Sequence, residues 1–281
     1  MDYALFQHEA MATHFEIVVC GQDPEYARQA ARAAFRETDH LEGLLSRYIE
    51  SSDISRINGL RRGESTTISD ETLDCLLIAA DLCLATQGTF DPAYASLRAP
   101  DLPPDAPPFT LDPENHRLTS CADRLRLDLG AVGKGFALDR MAALLREWGI
   151  TSALLNAGDS SALALGVPPA DDPAGWGVGL GEDESRREFP LLNASLSGSG
   201  TAVKGQHLID PRTRQPAPRR LRVWALAPTA AQADALSTAF FVMAERDIAD
   251  LCQAHPGIGA AVTLPDGRLA GFGTLRETGA A

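Results

Sequence analysis

From Ala230 to Met243 the chain is apolar almost without a break, yet Asp234 and Thr238 stand inside it. With helical spacing, residues four apart project from one face, so the carboxylate and the hydroxyl share a stripe able to hold a hard cation. Ala230, Ala231, Ala233, Ala235, Leu236, Ala239, Phe240 and Phe241 leave such a helix little polar surface. A carboxylate buried there needs a partner. Taken alone, the pair also reads as a solvated carboxylate and a threonine bonded back to its own helix.

Composition narrows the classes of partner. The 281 residues are 44% apolar and 22% charged, enough for a sizeable core, with a formal net charge of −13. No basic run exceeds two residues, so a broad nucleic-acid footprint is excluded and any phosphate has to be met locally. No stretch reaches the length of a membrane span, and Met1-Asp2-Tyr3-Ala4-Leu5 lacks the pattern of a signal peptide. A cytoplasmic location is expected. The five cysteines are scattered without Cys-x-x-Cys spacing, which fits reduced thiols better than a disulfide framework or a zinc site.

Along the chain, residues 14–20 read as a strand, closed by Gly21-Gln22-Asp23-Pro24 before an alanine-rich helix over about 25–45. A second helix starts at the candidate cap Ser69 and ends before Gly88, delivering Thr89-Phe90-Asp91-Pro92. The proline-dense stretch 99–108 excludes regular structure. Arg124 to Leu129 alternates as a strand and runs through Gly130-Ala131-Val132-Gly133-Lys134-Gly135 into a helix ended by Gly149, after which 151–156 is again strand. Surface hairpins are expected in 166–190, a strand near 221–227, and a last hairpin around Pro265-Asp266-Gly267. Strands outnumber helices without a regular βαβ repeat, so the class is α+β.

The glycine-spaced turn lies between a predicted strand and a predicted helix, where backbone amides and a helix N-terminus receive anions, and Lys134 adds a point charge. It matches neither the Walker A spacing nor Gly-x-Gly-x-x-Gly. A tight connection with a surface lysine accounts for it equally well. His207-Leu208-Ile209-Asp210-Pro211-Arg212-Thr213 reads as a short strand entering a turn, and His207 by itself is a scaffold residue or a general base. Asp91 before Pro92 is also a common turn former.

In chain order the pieces resemble the FAD:protein FMN transferase family of ApbE type, from about Met11 to Met243. They are Met11-Ala12-Thr13, Leu45-Ser46-Arg47-Tyr48, Ser52 to Asn58, Thr89 to Pro92, Asp128 to Lys134, Asn156-Ala157-Gly158, His207 to Thr213, and Ala233 to Met243. The resemblance implies one domain over 1–281, with paired T-fold-like halves of antiparallel sheet packed by helices. It further implies an enzyme that binds FAD with Mg2+, transfers FMN through a phosphoester to a threonine or serine of a flavoprotein, and releases AMP. Met11, Tyr48, Thr89, Phe90, Asp91, Asp128 and Lys134 match FAD-contacting positions. Asp234 and Thr238 match the side-chain magnesium ligands, with the carbonyl of Ala131 as a further one, and His207 matches a candidate base.

The chain departs from the family pattern at Asn156-Ala157-Gly158-Asp159-Ser160, at Gly133 where alanine is frequent, and at Arg214 after Arg-Thr. FAD hydrolysis to FMN and AMP, and non-catalytic FAD binding, are the alternative readings.

Overall fold

Hairpins laid side by side make the main sheet. The computed structural model describes residues 3–97, 101, 103, 106–169, 174–181, 187–200, 209–215, 220, 222–264 and 267–276. Within these, β1 (Tyr3–Ala10) and β2 (Thr13–Cys20) lead to α1 (Pro24–Leu45), α2 (Asp53–Asn58), β3 (Ser65–Thr67), α3 (Asp70–Ala85), β4 (Phe109–Asp112), β5 (Arg117–Ser120) and α4 (Gly133–Glu147). There follow β6 (Ala153–Ala157), β7 (Ser161–Leu165), β8 (Trp176–Leu180), β9 (Arg187–Leu191), β10 (Ser195–Gly200) and β11 (Arg222–Ala227). The chain closes through α5 (Ala230–Val242), α6 (Glu245–Ala254), β12 (Gly259–Thr263) and β13 (Leu269–Gly273).

The sheet order is β1-β2-β6-β7-β10-β11-β12-β13, antiparallel at every step. Each half of it is a hairpin, a helical excursion and a second hairpin. The architecture is therefore α+β, with antiparallel sheet packed by helices.

Helices α1, α4 and α5 cover one face of this sheet. Ala27, Ala30, Ala31, Ala34, Leu41 and Leu45 are buried along α1, the spacing that turns one stripe of a helix inward. The hairpin β8–β9 belongs to the opposite face, where Trp176, Val178, Leu180 and Leu191 pack with Trp224 and Leu226. On β11, Val223, Ala225 and Ala227 join the helical core while Trp224 and Leu226 join the other. A strand buried on both faces is apolar throughout, as 222–227 nearly is.

The expected strand at 124–129 does not form beyond a single bridge, Leu97 to Arg124. Its backbone is satisfied by other groups: Asn58 accepts from the Leu127 amide at 2.6 Å and donates to its carbonyl at 2.9 Å. Ser96 Oγ accepts from Arg126 N at 3.0 Å, and the Pro92 carbonyl accepts from Asp128 N at 2.9 Å. Side chains and loop carbonyls take the place of a ladder, so alternation is present without a sheet. The last hairpin is β12–β13, although Pro265 and Asp266 lie outside the described residues.

A strand absent from the sequence reading, β1, pairs along its whole length with β2 through the turn Met11-Ala12. Both turn residues have positive φ, 50° and 56°. That is the conformation of a two-residue hairpin usually made by Asn-Gly, which explains why the turn was not legible. Left-handed backbone costs a non-glycine residue about 1–2 kcal/mol. Ala12→Gly is therefore expected to raise stability by about 0.5–1 kcal/mol after the extra freedom of the unfolded glycine is discounted, read from urea denaturation midpoints. A lowered midpoint would show that the alanine methyl makes a contact worth more than the strain.

Candidate functional site

Helix α5 is held by its neighbours at both ends. Asp139 of α4 accepts from the amides of Ala230 and Ala231 at 2.8 and 2.9 Å, and Thr229 caps Gln232 N. Burial pushes the Asp139 carboxyl up, against the pull of those two amides. At the far end Arg220 donates to the carbonyls of Phe240 and Met243, two orphan acceptors of the last turn.

So fixed, α5 presents Asp234 at the N-terminus of α4. The Asp234 carboxylate is 5% exposed and accepts from Gly135 N at 3.2 Å, Lys134 Nζ at 3.4 Å and Ser197 Oγ at 3.5 Å. Charge-assisted bonds usually span about 2.7–2.9 Å, so a buried carboxylate here is only loosely satisfied. Lys134 Nζ also donates to the Gly130 carbonyl at 3.3 Å, standing between the turn and Asp234. Val132 at the N-cap of α4 supplies no side-chain bond, so the first-turn amide of Gly135 is met by Asp234, and the helix dipole faces this cluster.

One helical turn along α5, Ser199 Oγ lies 2.8 Å from Ser237 Oγ and 3.5 Å from Thr238 Oγ1. Ser195, Ser197 and Ser199 alternate along β10, the spacing of a single strand face, and Ser197 bonds Ser161 Oγ at 2.9 Å and the Ser160 carbonyl at 3.1 Å. The hydroxyl line thus ties the unusual turn at Gly158 to Ser160 to the Asp234 carboxylate. Gly158 has φ 56° and a Cβ there would meet Thr13 Oγ1 at 2.5 Å, so this hairpin turn also fits against the Met11-Ala12 turn only as glycine.

A hard cation suits this donor set. The Asp234 carboxylate, the Thr238, Ser197 and Ser199 hydroxyls and the Gly130 carbonyl are all oxygen. No group of three or more His, Cys, Asp or Glu gathers among the described residues, so a cation would complete its shell with neutral oxygens, water or phosphate. Ala131, expected to offer its carbonyl, sits in the same turn, half-buried between Gly130 and Val132.

On the other side of the turn, a cavity of about 450 Å3 is lined by Arg47, Tyr48, Asn58, Tyr94, Arg126 and Asp128 among others. Tyr48 is 82% exposed, an open aromatic face. Arg47, which the sequence reading passed over as a site residue, donates to Tyr48 Oη at 2.6 Å, lies 4.8 Å from its ring centre and pairs with Asp128 at 3.5 Å. Burial draws the Arg47 guanidinium down, but Tyr48 and Asp128 more than offset it and hold it above its usual value. The only sequence signal for Arg47 was its place next to Tyr48. Asp128 Oδ1 accepts from Gly130 N at 2.9 Å, so one carboxylate joins the cavity wall to the turn that carries Lys134.

The remaining expected residues are distributed around this centre. Thr89 and Phe90 are 2% and 3% exposed, with the Thr89 hydroxyl donated to the Thr86 carbonyl at 2.9 Å. Phe90 belongs to the main core, and the carboxylate of Asp91, next in the chain, accepts from Ala93 N at 2.8 Å. Met11 occupies the strained hairpin turn, half-buried against the main core. His207 lies outside the described residues. Following it, Asp210 receives the Arg212 amide at 2.9 Å and its guanidinium at 3.1 and 2.9 Å, and a Cβ on Gly88 would sit 3.8 Å from Arg212 Cγ. The Asp210-Pro211-Arg212 turn is thereby placed beside the exit of α3.

Residues 53–58 form a short helix capped by Ser52. Asp53, 3% exposed, accepts from Ser69 N and Ser69 Oγ, both at 2.8 Å, and from Arg56. Burial raises its carboxyl, but the Ser69 and Arg56 bonds outweigh this and hold it below its usual value. A depressed folded value means stability present above the unfolded value, near ~3.9, and lost as pH falls through the folded one. Asp53→Asn is expected to flatten the acid limb of stability below about pH 4 and to cost about 1–3 kcal/mol at pH 7. Denaturant unfolding of both proteins between acid and neutral pH measures it, and parallel pH curves would refute the assignment.

The geometry defines an α+β protein with a carboxylate–hydroxyl–lysine cluster at a helix N-terminus beside an aromatic and arginine-lined cavity. The ApbE family model matches residues 11–262, and the chain belongs to that family. An FAD:protein FMN transferase of Treponema pallidum is 31% identical over 52% of this chain and 45% of that protein. The FAD:protein FMN transferase of Salmonella typhimurium is 24% identical over 96% of this chain and 86% of its own. The apo crystal structure of Pseudomonas stutzeri flavinyl transferase ApbE superposes with a TM-score of 0.83 at 21% identity, covering 100% of this chain and 97% of that one.

Proposed function

We propose that this protein, acting as one domain over 1–281, is a Mg2+-dependent FAD:protein FMN transferase that modifies a threonine or serine of a flavoprotein. The observation that carries the reading is the turn Asp128 to Lys134, which joins the Arg47, Tyr48 and Asp128 cavity to the Asp234 cluster. A ligand with an aromatic ring system and a pyrophosphate needs such a pair of subsites in continuity. Tyr48 offers a ring face for stacking, and Arg47 fixes its orientation. Lys134 and the positive end of the α4 dipole oppose phosphate charge.

In the reaction, the acceptor oxygen bonds to the phosphorus of the FMN half, the P–O bond to AMP breaks, and AMP leaves with the bonding electrons. The acceptor proton passes to a base, for which His207 is proposed. Asp234, Thr238 and the Ala131 carbonyl would hold Mg2+, which when bound supplies neutralisation of pyrophosphate charge. Lys134, 3.4 Å from Asp234, would supply positive charge to the phosphates.

The cysteines form no disulfide, and no helix among the described residues is long and apolar enough to cross a membrane. A cytoplasmic site of action is part of this proposal, supported by cysteines scattered without Cys-x-x-Cys spacing. The test is intact mass of candidate flavoproteins after incubation with this protein, FAD and Mg2+, with AMP followed in parallel. A gain of one FMN moiety together with AMP supports the transferase. AMP without a mass gain identifies a hydrolase, and bound FAD with neither product identifies a binding protein.

A further inference from the structure

We infer that the outer edge of β1, together with α1, is a docking groove for an extended acidic segment of a partner protein. β1 ends the main sheet, so one side of it has no strand partner among the described residues. The pair Ala10 and Thr13 closes a two-residue turn and exchanges both hydrogen bonds. Alternation then directs the amides and carbonyls of Leu5, Gln7 and Glu9 away from β2, toward the open edge.

Beside that edge lies a groove of about 570 Å3 between Leu5 to His8 and one face of α1. Its helical wall carries Arg28, Arg32 and Arg36, one turn apart, over a floor of Ala31 and Phe35. All three arginines are exposed. Arg28 has only a 3.8 Å contact with Glu25, and Arg32 and Arg36 have no ion pair among the described residues. The acidic member of the groove, Asp39, is hydrogen-bonded to His8 at 2.6 Å and leaves the three arginines in excess. On a chain of net charge −13, a row of three guanidiniums, two of them without an ion pair among the described residues, is a local reversal of sign.

An added strand satisfies both features at once. Its backbone completes the ladder on β1 and its carboxylates meet the arginines. A second copy of this chain fits poorly, because two-fold pairing of β1 edges sets α1 against α1 and brings the arginine rows together. A flat lipid surface cannot reach the edge amides of a concave groove. The strand leads to the Met11-Ala12 turn, so a bound segment is directed toward that end of the molecule. Docking does not depend on FMN transfer.

The probe is a fluorescein-labelled peptide of alternating threonine and glutamate, about eight residues long, the length of an ordinary strand, titrated by anisotropy without FAD. Saturable, salt-sensitive binding is expected, weakened about tenfold by Arg32→Glu with Arg36→Glu and by exchanging the glutamates for glutamine. Leu5→Pro, which removes one outward amide from an edge strand, is expected to weaken it as well while circular dichroism stays unchanged. If the double variant misfolds, Arg36→Gln alone carries the comparison. The inference is overturned by no binding at millimolar peptide, or by binding indifferent to these changes. It is equally overturned if the same variants abolish a dimer seen in sedimentation, or if only phosphatidylserine vesicles bind.

Discussion

Asp234→Asn is expected to lower FMN transfer at least about 10²–10³-fold while the protein folds with native circular dichroism and melting temperature. The carboxylate is 5% exposed, and its three contacts at 3.2–3.5 Å are too long to be the reason a charge is buried there. Asparagine keeps the shape and removes the charge that a divalent cation or the Lys134 ammonium would meet. Loss of transfer with retained FAD binding, and with loss of the activity's dependence on Mg2+ concentration, places Asp234 at the metal. Undiminished transfer would show that the cluster is structural. Removal of Mg2+ from the unaltered protein by EDTA is expected to act the same way and to be reversed by added Mg2+.

Gly135→Ala is expected to be among the most damaging single-methyl additions in the molecule. A Cβ at Gly135 would stand 2.1 Å from the carbonyl oxygen of Ala230 and 2.7 Å from the amide of Ala231, both backbone atoms at the start of α5. Neither can rotate away, so α4 and α5 have to separate, which breaks the Asp139 caps and moves Asp234. A cost of about 3 kcal/mol or more in denaturant unfolding is expected, with transfer lost in parallel. Gly133→Ala two residues earlier is the contrast. Its Cβ would meet only Leu129 Cβ at 3.9 Å, and helix propensity favours alanine by up to about 1 kcal/mol. Equal effects at the two positions would mean that the helix crossing is looser than 2.1 Å implies.

Much of the fold was legible because its signals are local. The alternating apolar stripe and the Asp23 and Pro24 start specify α1, and Ser69 with Asp70 and Glu71 specifies α3. What was not legible depended on partners distant in the chain. Arg124 to Leu129 alternates like a strand, but Asn58 and Ser96 supply its hydrogen bonds, and neither can be seen from the segment itself. β1 was hidden because Met11 and Ala12 adopt positive φ, a conformation that their side chains do not advertise.

The site divides the same way. Spacing alone put Asp234 and Thr238 on one stripe of a helix and Lys134 at the mouth of a turn, since periodicity fixes direction within an element. Only the tertiary structure decided that Lys134 and Gly135, about a hundred residues earlier, meet Asp234, that Ser197 and Ser199 face the same helix, and that Arg47 pins Tyr48 to Asp128. Hydrogen bonds and ion pairs act over a few ångströms whatever the distance along the chain. Which side chains come within that range is therefore settled by how α4, α5 and β10 pack, and by the missing Cβ of Gly135 that lets two helices touch.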